Sequence, residues 1–176
     1  MARPCLWSWL IGIAFVSLAV SVQGAVIATV AQSGESVELE WQSGGRTVST
    51  SLPLYASGAV HYFSAGVGLE ERSAQYPPFP LKLVFTAGDK PFLSHVGVTI
   101  HPATGGEAIV IPSEHVEGPW LFVDLPRGVY DVSGTFGGHV QRRNGVTVDP
   151  SRQKVVHFRW KEDRISPVRI AEDVDE

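Results

Sequence analysis

The chain has 176 residues, 44% of them hydrophobic and 18% charged, and its 14 basic and 18 acidic side chains give a formal charge of −4. No run of Lys and Arg is dense enough to follow a phosphate backbone, so nucleic acid is not an expected partner. The one cysteine, Cys5, sits near the start of the chain, which removes thiol catalysis, disulfide exchange and thiolate metal sites from everything after it.

Residues 1–24 read MARPCLWSWLIGIAFVSLAVSVQG: one basic residue, Arg3, then an apolar block over 10–22. This is the pattern of a secretory signal peptide, with Val22 and Gly24 placed three and one positions before a cut that makes Ala25 the new N-terminus. A retained anchor, the competing reading, needs about 20 apolar residues, and the block is shorter. No stable membrane span is therefore expected after cleavage. Cys5 precedes the block and is not the cysteine of a lipoprotein signal. Cleavage takes Arg3 from the 14 basic residues, leaving 13 against 18 acidic ones and a charge of −5. The mature protein is expected in the periplasm or secreted, where disulfides survive, yet it has none to form. Its core must hold by burial alone, which roughly 150 residues can do by burying close to 70% of their unfolded surface.

Residues 25–75 read as an N-terminal extension. SVELEW and RTVSTSL alternate as strands around the turn residues SGG, and GLEERSAQ, with acids early and an arginine after them, predicts one or two helical turns that YPPFP ends. From residue 76 to 160 the period is two almost throughout. LKLVF sets Leu81, Leu83 and Phe85 on one face. LSHVGVTIH turns Val96, Val98 and Ile100 inward and His95, Gly97, Thr99 and His101 outward. AIVI and WLFVDL follow, and VYDVSGTF places Tyr130, Val132, Gly134 and Phe136 together. A Gly-Gly hairpin leads into HVQRR, an Asn-Gly turn signal into NGVTV, and VVHFRW buries Val156, Phe158 and Trp160. About seven strands at intervals near ten residues, with no helical period between them, predict an all-β, antiparallel sandwich. The acidic tail over 161–176 is expected to be disordered.

The segment DLPRGVY, residues 124–130, is a tight strand connection in which Pro126 presets φ, Gly128 is available for positive φ and Tyr130 re-enters the core. It resembles the L-x-P-G-x-Y corner of carboxypeptidase regulatory-like domains. The resemblance extends back through WLFVDL, LKLVFTAGDKPFLSHVGVTI and GVGLEER and forward to VVHFRW. It implies a seven-stranded prealbumin-like (transthyretin-like) β-sandwich, here with a signal peptide and a short N-terminal extension, in a small exported single-domain bacterial protein. It further implies a non-catalytic interaction or accessory module of the envelope. Arg127 departs from the family's small residues at this turn and is expected to be exposed.

Chemistry-bearing residues are few. His95 and His101, six residues apart on one strand, would lie about 20 Å apart and cannot share an ion. The loop SEHVEG offers Glu114, His115 and Glu117. The resemblance to the hydroxyisourate hydrolases of the same fold fails because their C-terminal Tyr-Arg-Gly-Ser is absent, and no Gly-x-Ser-x-Gly elbow occurs. Glu70, Asp124 and Asp131 are the carboxylates that a glycosidase-type pair would draw on. Trp41, Trp120 and Trp160, with Tyr55, Tyr62 and Tyr76, are candidates for stacking on sugars or anchoring a peptide. The expectation is no enzyme, no catalytic or metal residue and no cofactor, with binding at Trp41, Trp120, Glu114 and His115. The expected partner is an envelope protein or glycan, bound by a monomer. The alternative is a periplasmic metal-binding protein using clustered histidines.

Overall fold

The computed structural model describes residues 25–88 and 92–161. The signal peptide read from residues 1–24 and the acidic tail, apart from Lys161, lie outside the described residues. The described residues are all-β apart from one short helix and one 3₁₀ turn. Its strands are β1 (Ile27–Val30), β2 (Ser36–Ser43), β3 (Arg46–Pro53), β4 (Tyr55–Ser57) and β5 (Val60–Ala65), then, after helix α1 (Leu69–Ser73), β6 (Leu81–Ala87), β7 (Gly97–Pro102) and β8 (Ile109–Ile111). A 3₁₀ turn at Ser113–His115 precedes β9 (Trp120–Val123), β10 (Gly128–Phe136), β11 (His139–Val148) and β12 (Lys154–Trp160).

Two sheets form the sandwich. One has the order β12-β6-β9-β5-β4 and the other β11-β10-β7-β8. The alternation in β6 buries Leu81, Leu83 and Phe85 against Val98 and Ile100 of β7, Val132 of β10 and Phe158 of β12. That is the burial the period-two pattern predicts, because one face of each strand meets the opposing sheet. The pairs are antiparallel except β12 with β6, which run parallel with Val156 opposite Leu83 and Phe158 opposite Phe85.

The described strands number twelve, in three sheets, where the sequence predicted seven in two. The additional layer is β1-β2-β3, an antiparallel sheet whose Val37 and Leu39 pack with Phe63, Ala65 and Phe122 on the outer face of the five-stranded sheet. Phe63 and Phe122, direct register partners, stack at 4.7 Å and 4°. The stretch read as an extension thus divides: β4 and β5 are sandwich strands and β1–β3 cover them. The sequence reading missed β5 as a strand because both its faces are buried from Tyr62 onward, which erases alternation.

Three local expectations are corrected and a fourth is met. Asn144-Gly145 is no turn: β11 runs through it, and Gly145 (φ 67°) sits in a bulge where the register with β10 shifts between Tyr130 and Val132. His95 precedes β7 instead of lying in it, with φ 57°. Gly128 has no positive φ; it is needed because a Cβ there would lie 3.0–3.1 Å from the Tyr130 ring. Arg127 is exposed, as expected, and pairs with Asp149, Nη1 to Oδ2 at 2.7 Å and Nη2 to Oδ1 at 2.9 Å.

Candidate functional site

Val37, Leu39 and Trp41 occupy alternate positions of β2, so all three point to the same side. Val37 and Leu39 are fully buried under the sheet they cover. Trp41, one step nearer the Gly44-Gly45 hairpin, is only half-buried. Its indole borders a cleft of about 370 Å³ that Gln42 and Ser43 line from the same strand, Val26 from the start of the described chain, and Leu69, Glu70 and Ser73 from α1.

The wall supplied by α1 is held from behind. With five residues and no side-chain cap at Gly68, the helix is too short to persist alone. The Glu71 carboxylate accepts hydrogen bonds from the backbone N–H of Gly66 (2.7 Å) and Val67 (3.1 Å), and Arg72 donates to the carbonyls of the same two residues. The Tyr76 hydroxyl donates to the Glu71 carbonyl at 2.8 Å, and burial pushes its pKa far up, so it stays a neutral donor. Glu71 and Arg72 are therefore structural, while Glu70 faces the cleft.

The other expected site residues are placed elsewhere. Trp120, on the outer face of β9, has the Lys82 ammonium 3.4 Å above its ring and Gly66 packed against it, where a Cβ would be 3.0 Å from Cδ2. Burial lowers the Lys82 pKa, yet the ring's negative face still favours the ammonium there. Trp120 is half-buried, with Lys82 and Gly66 packed on its ring. His115 is half-buried on the sandwich-core side, stacked on Tyr55 at 3.8 Å and 3° with its Nδ1 2.9 Å from the Tyr62 hydroxyl. Burial first, then Tyr55 and Glu114, raise the Tyr62 pKa. This trio closes the side of the sandwich where the short strands β4 and β8 approach one another. Glu114 beside it points to solvent.

The candidate carboxylates stay apart in role. Glu70 lines the cleft, Asp124 is exposed after β9, and Asp131 accepts a hydrogen bond from the Gly145 amide at 2.8 Å. Among the described residues no three His, Cys, Asp or Glu side chains gather closely enough to hold a metal ion. A second depression, about 240 Å³, lies at the β11 bulge between His101, Asp131, Ser133, Arg142 and Asn144; it is polar and has no aromatic wall. No described helix is long and apolar enough to cross a membrane. Gln42, Ser43 and Ser73 escaped the sequence reading, since only the docking of α1 against the end of β2 brings them together. Neither family models, nor curated proteins, nor solved structures offer a match to this chain.

Proposed function

We propose that the chain is a non-catalytic, exported binding module of the bacterial envelope and that the Trp41 cleft takes a short saccharide. The observation that carries this is the cleft's composition. A half-buried indole gives an apolar platform for the C–H face of a sugar ring, and the Gln42 amide, the Ser43 and Ser73 hydroxyls and the Glu70 carboxylate surround it with both donors and acceptors for hydroxyl groups. A volume of about 370 Å³ falls at the small end of ligand sites, the size of a short oligosaccharide. Among the described residues Glu70 is the one titratable side chain lining the cleft, and Ala25, whose amino group is free once the leader is cut, is also on its wall; no pair of placed carboxylates is present there, which favours binding over the acid–base chemistry of a carboxylate pair.

Export is supported by the leader pattern of residues 1–24. The regulatory-like resemblance is supported by the corner, where the Tyr130 hydroxyl donates to the Pro126 carbonyl at 2.9 Å. The test is calorimetric titration with trisaccharides and tetrasaccharides of N-acetylglucosamine and of glucose. One series is expected to bind, with affinity falling at least tenfold in Trp41→Ala and severalfold in Glu70→Gln. Silence across both series, or undiminished binding by a folded Trp41→Ala variant, would sink the reading.

A further inference from the structure

An open strand edge recruits other strands unless something blunts it, and the edges of this molecule differ sharply in that respect. β4 and β8 are three residues long. β1 is capped from outside, since Ala28 N–H donates to the Gln75 carbonyl at 3.0 Å and Gln75 N–H to the Val26 carbonyl at 2.9 Å. β11 carries its bulge, and side chains bridge it to β12: Arg143 to the His157 carbonyl, Gln141 to the Arg159 carbonyl and the Trp160 indole to the His139 carbonyl. β3 has none of these devices. It is eight residues long, pairs only with β2 among the described residues, shows no bulge, and is exposed everywhere except at Leu52.

The hairpin fixes which backbone groups are open. A two-residue turn, Gly44-Gly45, makes Ser43 and Arg46 a hydrogen-bonded pair, so Trp41–Val48, Leu39–Thr50 and Val37–Leu52 are hydrogen-bonded as well. Leu54 N–H bonding the Glu35 carbonyl at 2.9 Å continues the same series. The N–H and C=O groups of Thr47, Ser49 and Ser51 therefore point away from β2. We propose that β3 is the interface through which two copies of the chain pair antiparallel about Ser49, joining their outer sheets into one six-stranded sheet in place of the monomer expected from the sequence.

A second copy fits this edge better than an arbitrary strand. Centred on Ser49, the register that satisfies all the open groups sets Thr47 opposite Ser51 of the other copy and Val48 opposite its Thr50. Every facing pair is small or β-branched and uncharged, the combination that cross-strand pairing favours. Glu38 and Glu40 stand on β2, one strand in, so each copy's acids remain three strand spacings, about 14 Å, from their counterparts. Arg46 and Pro53 bracket the uncharged run and limit the pairing to it.

Sedimentation and light scattering on the exported protein at tens of micromolar are expected to give twice the single-chain mass. Ser49→Lys, which sets two ammonium groups face to face, and Ser49→Pro, which removes the central donor at a position where the N–H faces solvent, should both run as folded single chains with unchanged circular dichroism. Because hydrogen-bonded partners lie about 5.5 Å apart at Cα, within disulfide reach, Ser49→Cys in a Cys5→Ser background should oxidise to a covalent dimer. Val140→Cys, exposed on β11, should not. A wild-type protein at single-chain mass, a Ser49→Lys variant still dimeric, or cross-linking no faster at 49 than at 140 overturns the proposal.

Discussion

A Cβ on Gly118 would overlap the Ala65 carbonyl oxygen and lie 2.6 Å from its carbon, and both neighbours are backbone, which cannot swing aside. The same close approach is fastened by Ser64, whose buried Oγ accepts from the Gly118 N–H at 2.8 Å and donates to the carbonyls of Gly118 and Trp120. Gly118→Ala should therefore cost about 2–3 kcal/mol, at the upper part of the overpacking range. Ser64→Ala, which leaves a buried N–H unpaired, should cost about 1–3 kcal/mol. Thermal denaturation reads both: at the scale of a domain this size each kcal/mol moves Tm by about 2–4 °C, and a Gly118→Ala variant melting with the wild type would refute the packing argument. Neither residue stood out in the sequence, since a glycine forced by a crossing backbone reads like any loop glycine.

At the level of elements, the corner after β9 and the turn after β11 act as one unit. Asp149 accepts from Ser151 N–H at 3.0 Å and Ser151 Oγ at 2.8 Å, and it pairs with Arg127 from the corner. The Ser151 hydrogen bonds first, then the Arg127 charge and its hydrogen bond, hold its pKa below the ordinary 3.8. A folded-state pKa below the unfolded one means the unfolded chain binds more protons as pH drops. The stabilisation is fully present above the ordinary aspartate range and disappears as pH falls through the lowered folded value. Asp149→Asn should thus melt below the wild type at pH 7, by a small margin that salt reduces, and the gap should close in strong acid. A gap that widens toward low pH would contradict the assignment. The elements most legible in the sequence, β6, β7, β10 and β12, are those with one buried and one open face. β5 was illegible because both its faces are covered. The Asn144-Gly145 signal misled because positive φ serves a bulge as readily as a turn, and only the pairing with β10 separates them. At the site, Trp41 stands half-buried between the polar residues Glu40 and Gln42, a sign readable in the sequence, whereas the Lys82 and Tyr55 contacts on the rings of Trp120 and His115 come from other strands and leave no local signal.

For the whole molecule, the decisive question is whether the outer sheet is an appendage or part of one cooperative unit. Phe63 and Phe122 are central strand residues of the five-stranded sheet, yet their burial, at 0% and 2% exposure, depends on Val37 and Leu39 of β2. Their backbones meanwhile carry Tyr62, Leu121 and Val123 into the sandwich core. Exposing the two rings alone would forfeit about 3–6 kcal/mol, a large share of the roughly 5–15 kcal/mol that a domain holds in total. Two clusters back to back on the same strands therefore predict a single unfolding transition. Fluorotryptophan labels report the layers separately, Trp41 lying on the outer sheet and Trp160 in the sandwich core, and their native signals should vanish at one temperature. A fragment lacking residues 25–53 should bind hydrophobic dyes and melt far below the full chain. Separate transitions for the two labels, or a fragment as stable as the full chain, would show that the sandwich stands without its cover.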